Sequence, residues 1–203
     1  MRRSGLLALL AAAACSSVPE TSYYLLTTSS PATAMGDVAR ATPPPGWPAE
    51  RVLGLGRIEV ADYLNQPGLV LETAEHQIRP ATYHRWAEPL PRGIRRALLE
   101  NLTAVLPGLR VENLSESTRR LDYRLDLVIE RFHGTDQGTV VLGGRWSLAS
   151  GDGQRQVAGE PFNYRERIAS PGYLASVAVQ AELLAQLSQA VASRLASTVD
   201  ASG

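Results

Sequence analysis

The sequence predicts an α+β fold: an antiparallel-rich mixed sheet with two main helices packed on one face, in a single domain. Three observations predict it. Residues Tyr123 to Glu130, and less regularly Val52 to Val60, alternate apolar and polar with the period of a strand. Two longer segments, beginning at Leu90 and Tyr173, repeat apolar residues at helical spacing. Clusters such as Asn65-Gln66-Pro67-Gly68 and Gly151-Asp152-Gly153 punctuate the chain as turns. With 203 residues, 44% of them hydrophobic, one core can form without a disulfide or metal to support it.

In chain order, Tyr23-Tyr24-Leu25-Leu26-Thr27 is aromatic and branched and reads as a first strand, with one tyrosine facing the core and the other outward. At about 28–50 the pattern vanishes: Ser29, Ser30, Pro31, Pro43, Pro44, Pro45, Gly46 and Pro48 mark a flexible Pro/Ala-rich insertion. Val52 to Val60 is the second strand, weakened or bulged at Gly54 and Gly56. Leu69 to Glu72 and His76 to Pro80 form a hairpin-like pair. From Leu90, the residues Ile94, Ala97, Leu98, Asn101, Leu102 and Val105 line one helical face, Pro91 suits the first turn, and Pro107-Gly108 stops the helix. Tyr123, Leu125, Leu127 and Ile129 are the inward positions of a half-exposed strand. Thr139 to Ser150 and Gln156 to Arg165 follow as two strands of a hairpin. Between Tyr173 and Ser197, Val177, Ala181, Leu184, Leu187, Val191 and Leu195 define the inner face of the longest helix.

The N-terminus indicates the compartment. Arg2 and Arg3 precede an apolar stretch from Leu6 to Ala14, and the small residues Ala12, Ala13 and Ala14 run into Cys15. That is the pattern of a secretion signal. Nine residues at about 1.5 Å each reach less than half of a hydrocarbon layer about 30 Å thick, so the segment is too short to span a membrane. The single cysteine excludes an internal disulfide. Placed as it is, Cys15 resembles the lipidated residue of a bacterial lipoprotein, with residues 1–14 as signal peptide and 15–203 as the mature domain. Ser16 in place of an aspartate resembles lipoproteins sent to the outer membrane, facing the periplasm. All 20 basic residues are arginine and balance 20 acidic ones, which argues against nucleic acid as a partner. Loss of Arg2 and Arg3 with the signal leaves a formal −2, so the lipid, rather than surface charge, is the expected membrane attachment.

Motifs for chemistry are absent from the sequence. His76, His84 and His133 sit on separate elements without metal-binding spacing, so no metal is expected. There is no Gly-x-Ser-x-Gly elbow. Gly54-Leu55-Gly56 lacks the remaining residues of a dinucleotide or phosphate loop, so no cofactor is expected and any energy must come from a partner. Asp122, Asp126 and Glu130 share one strand face, where interspersed Arg124 points to a solvated surface rather than to acid–base catalysis.

Taken in order, the cysteine after its signal, Tyr23-Tyr24-Leu25-Leu26, Ile58-Glu59-Val60 with Tyr63-Leu64, Arg85-Trp86-Ala87-Glu88-Pro89-Leu90, Tyr123-Arg124-Leu125 and the strand containing Trp146 resemble the ABC-type transport auxiliary lipoproteins, the PqiC-like family. The insertion between the first two strands departs from that pattern. The resemblance implies a non-enzymatic accessory lipoprotein of the outer membrane that works with a mammalian-cell-entry (MCE) domain protein and an inner-membrane transporter component in moving lipid, phospholipid included, between membranes. A ring-shaped partner would be matched by a homo-oligomer, which multiplies weak contacts. Tyr23, Tyr24, Arg85, Trp86 and Glu88 are the candidate partner-binding residues, because Trp, Tyr and Arg are enriched where binding energy concentrates. Trp86 also suits a second role, covering the start of the helix at Leu90. The alternative function is a periplasmic lipid-binding carrier with a cavity of its own. Bound acyl chains after purification would mark the carrier; a copurifying MCE protein would mark the adaptor.

Overall fold

The computed structural model describes residues 19–28 and 51–200. Cys15, its signal segment and the insertion beyond Thr28 lie outside the described residues. Eight strands form one mixed sheet: β1 (Ser22–Tyr24), β2 (Val52–Val60), β3 (Gly68–Ala74), β4 (Gln77–Trp86), β5 (Arg110–Asn113), β6 (Tyr123–Thr135), β7 (Thr139–Ser150) and β8 (Gln156–Arg167). Helix α1 (Leu90–Val105) and helix α2 (Tyr173–Asp200) complete the α+β arrangement, and a 3-10 turn at Asp62–Leu64 joins β2 to β3.

The organising element is β6. Its alternation buries Tyr123, Leu125, Leu127 and Ile129, and along one side it pairs with β7 in a long antiparallel ladder that β8 extends. Its other side is divided. Tyr123 to Ile129 take β2 in parallel, with β5 parallel beyond it. Gly134 and Thr135 take β3, which turns back through β4 and so reaches β1. Between the two halves the ladder shifts register at Glu130, where Ile129 faces Gly144 and Arg131 faces Gly143. One extra residue reverses the alternation, so Phe132 returns to the core after two outward polar residues.

Helix α1 starts without a side-chain cap, at Pro89, with Pro91 in its first turn where a missing N–H is harmless. Its face of Ile94, Ala97, Leu98, Asn101 and Leu102 is buried, and it packs on β2 and β5. Helix α2 lies on β6, β7 and β8 and against α1, with Leu184, Leu187 and Leu195 fully enclosed. Burial of each such side chain contributes roughly 1.5–3 kcal/mol. The face away from the helices is polar and carries ion pairs between Arg57 and Glu59 (3.0 Å), Arg124 and Asp126 (2.9 Å), and Arg145 and Glu130 (3.3 Å). Strands β4 and β6 run further than their sequence patterns suggest, and β5 follows α1 where no strand was expected.

Candidate functional site

The short strand β1 brings four of the candidate residues together, and Glu88 lies beyond them. It pairs in parallel with the end of β4, setting Ser22 beside His84, Tyr23 beside Arg85 and Tyr24 beside Trp86. In a parallel ladder, neighbours in register share a face, so the alternation sorts the residues into two sets. Tyr23, 65% exposed, and Arg85 stand on the outer face; Arg85 donates from Nε to the carbonyl of Thr82 at 3.1 Å. Tyr24 and Trp86 face inward, Tyr24 half-buried and Trp86 within the core at 8% exposure. Tyr83, two residues before Arg85, is also exposed and extends the outer row. Sequence reading missed it because β4 was expected to end at Pro80; the alternation of Tyr83 with Arg85 is the signal that would have found it.

Beneath this edge the inner set is tied down. The Tyr24 hydroxyl and His84 Nδ1 are 2.8 Å apart, and the His84 ring stacks on Tyr173 at the start of α2 with centroids 3.9 Å apart. The Ala87 N–H donates to the Tyr24 carbonyl at 2.8 Å, continuing the β1 contact past Trp86. Glu88 sits where the chain turns into α1 and pairs with Arg96 at 2.8 Å; Arg96 also reaches Glu100 along the helix. Beyond Tyr24, Leu26 is buried against the core while Leu25 is exposed. The result is a fixed sheet edge presenting Tyr23, Tyr83 and Arg85, with the outer side of β1 unpaired among the described residues.

The other residues considered for chemistry hold the structure. Asp122 accepts from the Val52 N–H at 2.8 Å, and Asp126 accepts from the Arg57 N–H at 2.6 Å while pairing with Arg124. His76 occupies the β3–β4 turn with φ 63°. Among the described residues there is no cluster of histidines, cysteines and carboxylates able to hold a metal ion, and no helix is long and apolar enough to cross a membrane.

On the helix-free face, His133 is 3% exposed and packs edge-on against Tyr63. Burial pushes its imidazole below the ordinary value of 6.5; the Gly134 carbonyl and Glu72 oppose the shift, and Arg131 and Arg165 reinforce it. Burial likewise pushes the Tyr63 phenol up to about 12, with its hydroxyl donating to the Glu130 carbonyl at 3.0 Å. A neutral buried histidine gives stability that is complete above 6.5 and is lost as the pH falls from there through the lowered folded value. Denaturant unfolding from pH 8 to 5 is therefore expected to show a steeper acid loss in the wild type than in His133→Gln. Parallel profiles would mean that His133 takes up its proton equally in both states.

A family model for the ABC-type transport auxiliary lipoprotein component matches residues 34–192. The chain belongs to this family. It is 29% identical over 145 residues to the intermembrane transport lipoprotein PqiC of Escherichia coli strain K12, covering 71% of this chain and 75% of that one, and equally to PqiC of Shigella flexneri. A crystal structure of an uncharacterised protein superposes with TM-score 0.71 at 28% identity, covering 87% of this chain and 99% of the other. Protein XCC0632 from Xanthomonas campestris has the same fold, with TM-score 0.66 at 18% identity over 90% of this chain and all of the other. The family match begins within the insertion and ends inside α2, so β2 to β8, α1 and the Arg85 to Glu88 turn lie inside it, while β1 with Tyr23 and Tyr24 precedes it.

Proposed function

We propose that this lipoprotein is anchored through Cys15 to the outer membrane, faces the periplasm, and acts as a non-catalytic adaptor in an intermembrane lipid transport system built around an MCE-domain protein and an inner-membrane transporter component. Family membership and the likeness to PqiC support the transport role. The observation that carries the adaptor reading is the pairing of Tyr23 with Arg85 on a sheet edge unpaired among the described residues, where an aromatic and a guanidinium are offered side by side on a rigid support. Ser22 follows Cys15 by seven positions along the chain. At roughly 3.5 Å per extended residue this edge lies within about 25 Å of the lipid. A partner engaged there meets the protein close to the membrane, and a homo-oligomer matching a ring-shaped partner would multiply modest contacts.

Two results are expected. Cys15→Ser should release the protein from the outer-membrane fraction, because several acyl chains hold a lipoprotein and none remains in the variant. Fractionation identical to wild type would remove lipidation as the anchor. In a pull-down of membrane-extracted protein, Tyr23→Ala with Arg85→Ala should weaken capture of the MCE-domain partner by about tenfold or more, as loss of two anchors does. The melting temperature should stay near wild type, since exposed substitutions fall within about 0.5 kcal/mol. A purified protein that captures no MCE-domain protein and hydrolyses a lipid ester would overturn the adaptor reading.

A further inference from the structure

Among the described residues, five large hydrophobic side chains stand exposed: Tyr23, Leu25, Ile78, Tyr83 and Leu174. All five belong to β1 and its exit, to β4 or to the start of α2, and none to any other strand or to α1. These three segments meet at His84, which stands in register with Ser22, contacts the Tyr24 hydroxyl at 2.8 Å and stacks on Tyr173. Exposed apolar side chains scattered singly need no account, but these are confined to one edge of the fold. Leu174 is the most exposed of them, at 74%. It stands on a fixed support, because the ring of Tyr173 beside it is held on His84. Its surroundings are uncharged: no Asp, Glu or Arg occurs from Ile168 to Ala181, and the first turn of α2 lacks the acidic residues that a helix start ordinarily favours. The turn before it is open, with Pro171 and Gly172 exposed and nothing within 4 Å of a Cβ placed on Gly172.

We infer that Leu174 and the uncharged turn before it seat this end of the domain in the interfacial layer of the bilayer that holds Cys15. The length of chain outside the structure supports a lipid surface as the occupant. Ser22, the register partner of His84, follows Cys15 by seven positions, so the start of β1 lies within about 25 Å of the anchor. Charge supports it too, since a charged group costs free energy on entering an apolar layer and this segment carries none. One leucine does not hold a free protein on a membrane, but on a tether the contact is intramolecular and a weak one suffices. With the start of α2 in the lipid, Tyr23 and Arg85 remain on the outer face of the sheet edge for a protein partner. The inference rests on the Cys15 anchor proposed above and does not depend on a transport partner.

The test supplies the anchor by chemistry. The sole cysteine of the mature chain is coupled to a maleimide phospholipid in phosphatidylcholine vesicles, so that natural lipidation is judged separately, by fractionation of Cys15→Ser. The photoreactive residue p-benzoylphenylalanine is placed at 174 or, as a control, at exposed position 193, about 28 Å further along α2. Phospholipid adducts, counted by mass spectrometry after irradiation, are expected to be at least fivefold more abundant from 174 than from 193. With the photoreactive residue at 171 instead, Leu174→Asp, checked for a wild-type melting curve, is expected to reduce adducts at least threefold. Equal adducts from 174 and 193 would mean that the domain tumbles on its tether and would overturn the assignment. Crosslinks from 174 to protein in place of lipid, whether to a second copy or to residues 29–50, would overturn it as well, as would adducts from 171 that persist in folded Leu174→Asp.

Discussion

Trp86→Ala is expected to cost about 3–5 kcal/mol of folding stability, as removal of a large aromatic from a core does. In a domain of this size each kcal/mol moves the melting temperature by roughly 2–4 °C, so the shift should exceed 6 °C. Trp86 is 8% exposed, stands in register with Tyr24, and donates its backbone N–H to the Pro67 carbonyl at 2.8 Å. It is thus the point where β1, β4 and the turn before β3 are held together. Arg85→Ala, one residue away on the opposite face, should stay within about 0.5 kcal/mol of wild type. Chemical denaturation of both variants, paired with the pull-down, separates core from contact. A Trp86→Ala protein that unfolds like wild type but no longer captures its partner would make the indole part of the interface.

That division between the two faces of β4 was only partly legible in the sequence. The helix faces were readable because their spacing is a local property: Ile94, Ala97, Leu98 and Leu102 repeat within a few turns and are all buried. Strand partners are not local. Nothing in Tyr23-Tyr24 tells that it pairs in parallel with His84-Arg85-Trp86 some sixty residues later, and it is this pairing that sets Tyr23 beside Arg85 on the outer face and Tyr24 beside Trp86 on the inner one. The early end expected for β4 has a specific cause. Proline removes a ladder donor and is read as a strand breaker, but β1 covers only His84 to Trp86, so among the described residues β4 has no second neighbour at Pro80 and the missing N–H is tolerated. Pro161 is tolerated on β8 in the same way, since among the described residues β8 pairs only with β7.

The end of β6 was hidden differently. Glu130 and Arg131 are two polar residues in succession, which looks like the end of an alternating strand. Here they mark a bulge after which the alternation resumes with Phe132 inward. Because β2 pairs before the bulge and β3 after it, the extra residue lies at the junction between the half of the sheet under α1 and the half that leads to the candidate edge. His133 and Gly134 therefore fell outside the expected strand, and the environment of His133 could not be read from its spacing.

The bulge also sets apart two adjacent glycines. Gly144 faces Ile129 on one side of it and Gly143 faces Arg131 on the other; neither has a positive φ, so the difference is one of space. A Cβ on Gly144 would lie 2.1 Å from the Val128 carbonyl oxygen and 3.1 Å from Ile129 Cα. Both are backbone atoms of the central strand, and they cannot yield without opening the ladders that β6 forms with its neighbours. A Cβ on Gly143 would meet the Arg131 guanidinium at 2.9 Å, the far end of an exposed side chain that can swing away at the loss of its 3.0 Å contact with Asn163. Gly144→Ala is accordingly expected to destabilise by about 3 kcal/mol or more, at the severe end of overpacking. Gly143→Ala should stay within about 1 kcal/mol, because replacing glycine also restricts the unfolded chain by about 0.4–1 kcal/mol in favour of folding. Equilibrium unfolding of the two variants side by side tests this. Equal losses would mean that the cost lies in the strand's need for glycine flexibility opposite the bulge, and that close approach of the β6 backbone is not what selects glycine at 144.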